Sequence, residues 1–214
     1  RDVGSDVDDT SAGAAESSPG RLIVVFMQTD FQREPLRVMG QLHFNTLIAP
    51  MLEMFEPEDS IAVVSQDSHL KLQCDFTRDR QKARDAIQKS IEIRKMELPP
   101  VPDSGPSLAR HLDLQEMRRA SKPGAALRIV ARALAANDGQ KVVIVAGWGI
   151  GEMVNRRVLL DRTWTEAMSL YRASRTPVIT LGTGAGGSLT YGLVATAVQT
   201  GGFYASTQSF PSQG

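Results

Sequence analysis

The sequence predicts an α/β fold, a three-layer sandwich around a doubly wound, mostly parallel six-stranded sheet. Three observations predict it. Two apolar runs rich in β-branched residues, Leu22–Met27 and Val142–Ala146, each read as a strand buried on both faces. Both runs stop abruptly, the first in Gln28, Thr29, Asp30 and Gln32, the second in Gly147, Trp148 and Gly149. In open parallel sheets, ligands bind outside the carboxyl ends of the central strands. Finally, strand-like runs alternate with stretches of helical periodicity, with one hairpin among them, which places helices on both faces of a sheet. Right-handed crossovers leave few topologies, the best being strand order 3-2-1-4-5-6 with strand 3 antiparallel at one edge.

Each element follows in turn. Residues 1–20 carry Asp2, Asp6, Asp8, Asp9 and Glu16 among Ser, Gly and Ala, with no aromatic. Such a segment buries too little apolar area to offset its ordering entropy, so a flexible linker is expected there. The folded domain is expected over 21–207 and a loose polar tail over 208–214. From Leu36 to Phe55, Met39, Leu47, Ile48, Met51, Leu52 and Phe55 recur at helical spacing, with Pro50 placed to kink or split the helix. Ile61–Ser65 is a short buried strand; Gln66–His69 is a tight turn. His69–Phe76 alternates Leu70, Leu72, Cys74 and Phe76 with polar residues, the pattern of a half-exposed antiparallel edge strand. Lys71, Gln73 and Asp75 on its other face would discourage edge pairing.

Thr77 or Asp79 caps the next helix, which should run to about Lys95 with Ala83, Ile87 and Ile91 inward. Leu98–Ser107 holds four prolines and excludes regular structure. A short helical piece is expected over Leu108–Arg119. A longer helix, opened at Ser121 and Pro123, turns Leu127, Val130, Ala131 and Leu134 inward. Gly147–Asn155 reads as a loop, Leu160–Ala173 as a helix, and Val178–Leu181 as a strand. A last helix over Ser188–Gln199 ends at Gly201–Gly202, before a short strand at Phe203–Ser206.

Composition narrows the function classes. With 214 residues and 42% hydrophobic content, one substantial core and hence one domain is expected. Lys plus Arg equals Asp plus Glu at 24 each, so the basic excess of a nucleic-acid binder is missing. The pairs Arg118–Arg119 and Arg156–Arg157 read as solvated helix faces or partner contacts. The single Cys74 excludes a disulfide within the chain. No apolar run reaches the roughly 18 residues of a membrane span. The chain opens with Arg1 rather than Met, as a processed or excised piece would.

Strand order and phrasing together carry a resemblance. The segments RLIVVFMQTDFQ, EPEDSIAVVSQDSHLKLQCDFTRDRQKARDAI, ALRIVARALAANDGQKVVIVAGWG, PVITL and TGGFYAS are similar to those of the von Willebrand factor A domain. More narrowly, they resemble its VWFA-related Acidobacterial branch, and the likeness spans Arg21 to Ser206. It implies a Rossmann-like sandwich that binds proteins through the loops at the strand carboxyl ends, with an extracytoplasmic location and no enzymatic activity. The family's metal-ion-dependent adhesion site reads Asp-x-Ser-x-Ser in its first loop; Gln28 to Gln32 stand there in this chain. The family's Thr would correspond to Ser104 or Ser107, and its last Asp to Gly147, followed by Trp148.

Both family carboxylates are therefore replaced. Mg²⁺ needs hard oxygens and one or two carboxylates to offset its dehydration. Gln28 offers a neutral carbonyl, Asp30 is the one charge of the first loop, and Glu152 could reach inward from the later loop. The expectation is an interaction face without a metal or other cofactor, rimmed by Gln28, Asp30, Gln32, Ser104, Ser107, Trp148 and Glu152. Asp30 also reads as a carboxylate favoured by the dipole of the following helix. Trp148 reads either as an exposed anchor for a protein partner or as a plug over the strand ends.

Two site-based alternatives stand beside this reading, and a third is a purely structural domain that positions its neighbours in a longer chain. One is a metal-dependent adhesion module in which Asp30 and Ser104 or Ser107 hold Mg²⁺. The other is a nucleotide-binding enzyme fragment. Gly182–Gly187 satisfies Gly-x-Gly-x-x-Gly between a strand and a helix, but no acidic residue ends the next strand to hold a ribose. The plainer reading of that segment is a flexible loop capped at Ser188. His43, His69 and His111 fall at no spacing of a metal pair or triad, and Cys74 lies on an inward face.

Overall fold

The computed structural model describes residues 20–29, 46, 48, 50–90, 98–183 and 187–206. In chain order, its strands are β1 (Leu22–Gln28), β2 (Ser60–Gln66), β3 (Leu70–Thr77), β4 (Lys141–Gly147), β5 (Glu152–Val154), β6 (Arg157–Leu159), β7 (Val178–Gly182) and β8 (Tyr204–Ser206). Its named helices are α1 (Arg80–Lys89), α2 (Leu114–Arg119), α3 (Pro123–Ala135), α4 (Arg162–Ala173) and α5 (Thr190–Thr200), with a 3₁₀ turn at Ala109–His111.

Every residue of β1 is buried, which is why its sequence shows no alternation. Leu22, Val24 and Phe26 face one layer, built from the 3₁₀ turn, α3, α4 and α5. Ile23, Val25 and Met27 face the other, where Ile48 and Leu52 lie beside Ala83, Ala86 and Ile87 of α1. The main sheet runs β3-β2-β1-β4-β7-β8, with only the β2–β3 pair antiparallel. This is the expected order; the numbering moves on because an extra hairpin intervenes.

Local chemistry sets the helix ends. Asp79 caps α1 by accepting from the Gln81 and Lys82 amides, Asp113 caps α2, and Asp161 caps α4. Pro123 opens α3 at its first turn, where no amide is needed. Gly201 closes α5 in the left-handed conformation at φ 77°, as the glycine pair predicted. Ser188 is not the cap of α5: that place falls to Leu189, which makes no side-chain cap bond. No described helix is long and apolar enough to cross a membrane.

The segment Gly147–Asn155 is not a plain loop. Part of it forms β5, which pairs with β6 in a separate two-stranded ribbon. Its turn places Asn155 at φ 50° and Arg156 at φ 63°, the left-handed pair that matches strand twist. The ribbon's six residues are exposed save for half-buried Val158, so they carry no burial alternation by which a sequence reading could find them. The 1–20 linker up to Ser18–Pro19, the tail from Thr207, most of the 36–55 helix and Ile91–Lys95 lie outside the described residues.

Candidate functional site

The parallel register brings the carboxyl ends of four strands together. Gln28 stands beside Gln66, Met27 beside Ala146, and Gly147 beside Gly182. Gln28 is buried, and its side chain crosses from β1 to the loop after β4. There its Oε1 accepts from the Trp148 amide at 3.1 Å and from the Gly149 amide at 3.2 Å. Turning the amide over would set its NH₂ against those two N–H donors, so the hydrogen bonds fix its orientation. The Gln28 Nε2 is buried with no hydrogen-bond partner among the described residues.

Gly147 makes this crossing possible, because a Cβ there would collide with Gln28 Oε1. The following loop is held from its far side. The Ile150 amide donates to the Leu189 carbonyl at 3.2 Å, and Gly192 lets the start of α5 approach the Ile150 backbone. Next to β4, the Thr183 amide donates to the Gly147 carbonyl at 2.8 Å. Thr29 and Thr183 are both buried.

On the β2 side, the Thr29 amide donates to the Gln66 carbonyl at 2.8 Å. Gln66 Nε2 donates to the Asp67 carbonyl at 2.6 Å and the Ser121 carbonyl at 3.2 Å, so the loop between α2 and α3 joins this crest. Burial works to raise the Asp67 carboxyl, but hydrogen bonds from Lys71 and from the His69 and Ser68 amides outweigh it and hold it below the usual carboxylate range. Glu152 does not reach into the crest. Exposed on the ribbon, it pairs with Lys122 at 2.7 Å, and that bond raises the Lys122 ammonium. Trp148 is half-buried between the two arrangements expected of it.

Ser104 and Ser107 are separated from this crest. Ser107 Oγ donates to Asp75 Oδ2 at 2.5 Å, and the Ser107 amide donates to Asn137 Oδ1 at 2.9 Å. Asn137 precedes β4 and Asp75 lies near the last residues of antiparallel β3, so this cluster sits at the amino-terminal edge of the parallel strands. The seven-residue length of β1 places it about 20 Å from the crest. Ser104 is an exposed loop residue, three positions before Ser107. The segment was matched by order along the chain alone; beside Gln66 at the crest stands Ser121 instead. Asp30, Gln32 and Gly184–Gly186 lie outside the described residues.

The described crest therefore holds the buried Gln28 amide and two buried threonines, with half-buried Trp148 and the exposed Lys122–Glu152 pair at its margin. Among the described residues, no cluster of His, Cys, Asp and Glu could hold a metal ion. The described donor set does not fit Mg²⁺, since the one well-placed oxygen, Gln28 Oε1, already accepts two N–H bonds and its neighbour Nε2 is a donor. A shallow groove between α2 and α3 is distinct from the crest, and there Glu116 pairs with Arg132 at 3.3 Å.

Comparison with solved structures gives the architecture its name. The von Willebrand factor type A protein from Catenulispora acidiphila matches over 87% of this chain and 38% of its own, at TM-score 0.57 and 12% identity. This chain has the von Willebrand factor A fold. The same fold relates it to an aerotolerance-related membrane protein from Bacteroides fragilis, at TM-score 0.56 and 13% identity over 87% of this chain and 91% of the other. It also relates it to the vWF domain of the type V pili tip protein Mfa5 from Porphyromonas gingivalis, at TM-score 0.53 and 13% identity over 90% and 92%. The chain spans 38% of the length of the Catenulispora protein's chain. No family model matches the sequence. No curated protein matches it either.

Proposed function

We propose that this von Willebrand A fold is a non-enzymatic protein-interaction domain that binds through the crest at its strand carboxyl ends and needs no divalent ion. The observation that supports this most is the Gln28 amide, which fills the space over Gly147 and accepts two backbone N–H bonds where the family places carboxylates. The proposed contact rim is Trp148 and Glu152, with Lys122 beside Glu152, standing over the buried Gln28 that shapes the loop. Asp30 and Gln32, which follow Thr29 in the chain, complete it. Ser104 and Ser107 are left out because Ser107 is bound at the other end of the sheet. The adhesion site is read as degenerate. The pilus-tip and membrane proteins that share the fold support an extracytoplasmic location, and the sequence phrases support the VWFA-related Acidobacterial branch.

Calorimetry with Mg²⁺ and Mn²⁺ tests the metal-free reading; no saturable heat is expected. A saturable heat lost on Asp30→Ala would overturn it in favour of metal-dependent adhesion. Partner capture by the immobilised domain should be the same in EDTA and in Mg²⁺ and should fall on Trp148→Ala. Capture only in Mg²⁺ would refute the proposal.

A further inference from the structure

The far side of the molecule from β3 carries a different signal. From Thr176 to Gly214 the chain has no Asp, Glu, Lys, Arg or His, in a protein that is 22% charged. The described part of this stretch builds one flank. β8 is the last strand of the sheet, and α5 is the last helix of its layer, packed against α4, β7 and β8. The two edges of the same sheet are thus built to opposite rules. The β3 edge carries the charges Lys71 and Asp75, both engaged within the chain, by Asp67 and by the Ser107–Ala109 segment. The β8 edge, Tyr204–Ser206, carries none.

The flank is apolar as well as uncharged. On α5, Tyr191, Val194 and Val198 fall at helical spacing on one stripe and are 63%, 36% and 72% exposed. Phe203, at the entrance to β8, is 58% exposed. A helix with no charge on any face is normally covered on every side. Leu193 and Ala197 cover the inner side of α5, and the outer stripe has no cover among the described residues.

We propose that this flank is the interface of a symmetric dimer, its occupant a second copy of the chain. The charge pattern decides the occupant. A partner of defined charge would select a complementary charge here, and none exists. Two copies of an uncharged flank meet without burying or opposing any charge. The geometry closes as well. A two-fold axis normal to the sheet at β8 sets the two β8 strands antiparallel, makes one twelve-stranded sheet, and lays the two α5 helices side by side on the same face. Three residues of β8 alone make too small a contact. The α5 stripe and Phe203 supply the apolar centre that a stable interface of roughly 800 Å² per partner needs.

Sedimentation of the whole chain over a range of about 1–200 µM tests this, because dimerisation makes the apparent mass concentration-dependent. A rise from monomer to dimer mass is expected. Val198→Lys and Phe203→Lys, at exposed sites that leave the monomer core intact, should each weaken dimerisation by about tenfold or more. Met153→Lys on the ribbon should leave it unchanged. Hydrogen exchange at Tyr204 and Ser206 should slow with concentration in the wild type and not in Val198→Lys. A chain that stays monomeric across the range overturns the proposal. So does a dimer indifferent to both flank substitutions, or one broken by Met153→Lys.

Discussion

Gln28 and Gly147 share one space: the Gln28 amide oxygen lies where a side chain on Gly147 would begin, and its Cβ would stand 3.0 Å from that of Gln28. The two residues end adjacent parallel strands, β1 and β4, so the fit is made by register rather than by a flexible loop. The oxygen also satisfies the first two amides after Gly147. The Gln28 side chain and the bare Gly147 are therefore one arrangement, since in this chain only one of the two positions has room for a side chain.

That interlock predicts strong coupling between the two positions. Gly147→Ala should cost about 1–3 kcal/mol by overpacking against Gln28. Gln28→Ala should cost about 1–3 kcal/mol by leaving the Trp148 and Gly149 amides without their acceptor. In the Gln28→Ala background, Gly147→Ala should be nearly neutral, because its Cβ then enters vacated space. A double-mutant cycle by denaturant unfolding measures the coupling; additive costs would show that the two side chains do not compete.

The Asp59 carboxylate closes the other end of β1, and it predicts an acid-sensitive stability. Asp59 is buried and accepts from the Arg21 amide at 2.8 Å, the Arg21 guanidinium at 2.5 Å and the Glu56 amide at 3.0 Å. Burial works to raise its pKa, but these bonds and the Arg21 charge outweigh it and hold the carboxyl below the usual range. With the folded pKa under the unfolded one, the stabilisation is complete above about pH 5 and fades as pH falls through the folded value. Arg21 is 39% exposed, and solvent screening limits the cost of Asp59→Asn to about 1–2 kcal/mol at neutral pH. Melting curves from pH 7 to 3 should show a smaller acid slope in Asp59→Asn than in the wild type.

Most of the sheet was legible because its strands announce themselves. Leu22–Met27 and Val142–Ala146 are apolar without interruption, and only a strand buried on both faces requires that. The crest was legible in part. Gln28 and Trp148 come directly after those strands, so strand prediction located them. Ser107 was misassigned because its segment fixes position in the chain and not in space; the Asp75 carboxylate draws it to the opposite edge. Gln66 and Ser121 were missed because a side chain bonded to a backbone carbonyl leaves no mark in the sequence. The β5–β6 ribbon was missed for want of buried residues.

The Asp75 cluster should behave as a structural lock rather than as part of any binding site. Asp75 accepts from Ser107 Oγ, from the Leu108 amide at 2.7 Å and from the Ala109 amide at 3.3 Å, and so pins the proline-rich segment to β3. With the Phe76 amide at 2.9 Å, Asp75→Ala removes the shared acceptor of four donors and should cost about 2–4 kcal/mol. Partner capture per folded molecule should be unchanged. A variant of normal stability with impaired capture would place this edge in the interaction surface.

The join between α4 and α5 rests on one buried polar contact. Trp164 Nε1 donates to Thr196 Oγ1 at 2.8 Å, and that hydroxyl donates onward to the Gly192 carbonyl at 2.7 Å. Thr196→Val keeps the shape and removes the acceptor, leaving the indole N–H buried and unpaired. The expected cost is about 1–3 kcal/mol, read as a lower denaturation midpoint with an unchanged slope. Thr196→Ser retains the hydroxyl, loses one methyl and should cost less than Thr196→Val. Were the valine variant the more stable of the two, apolar packing rather than the indole hydrogen bond would be what ties α5 to the layer.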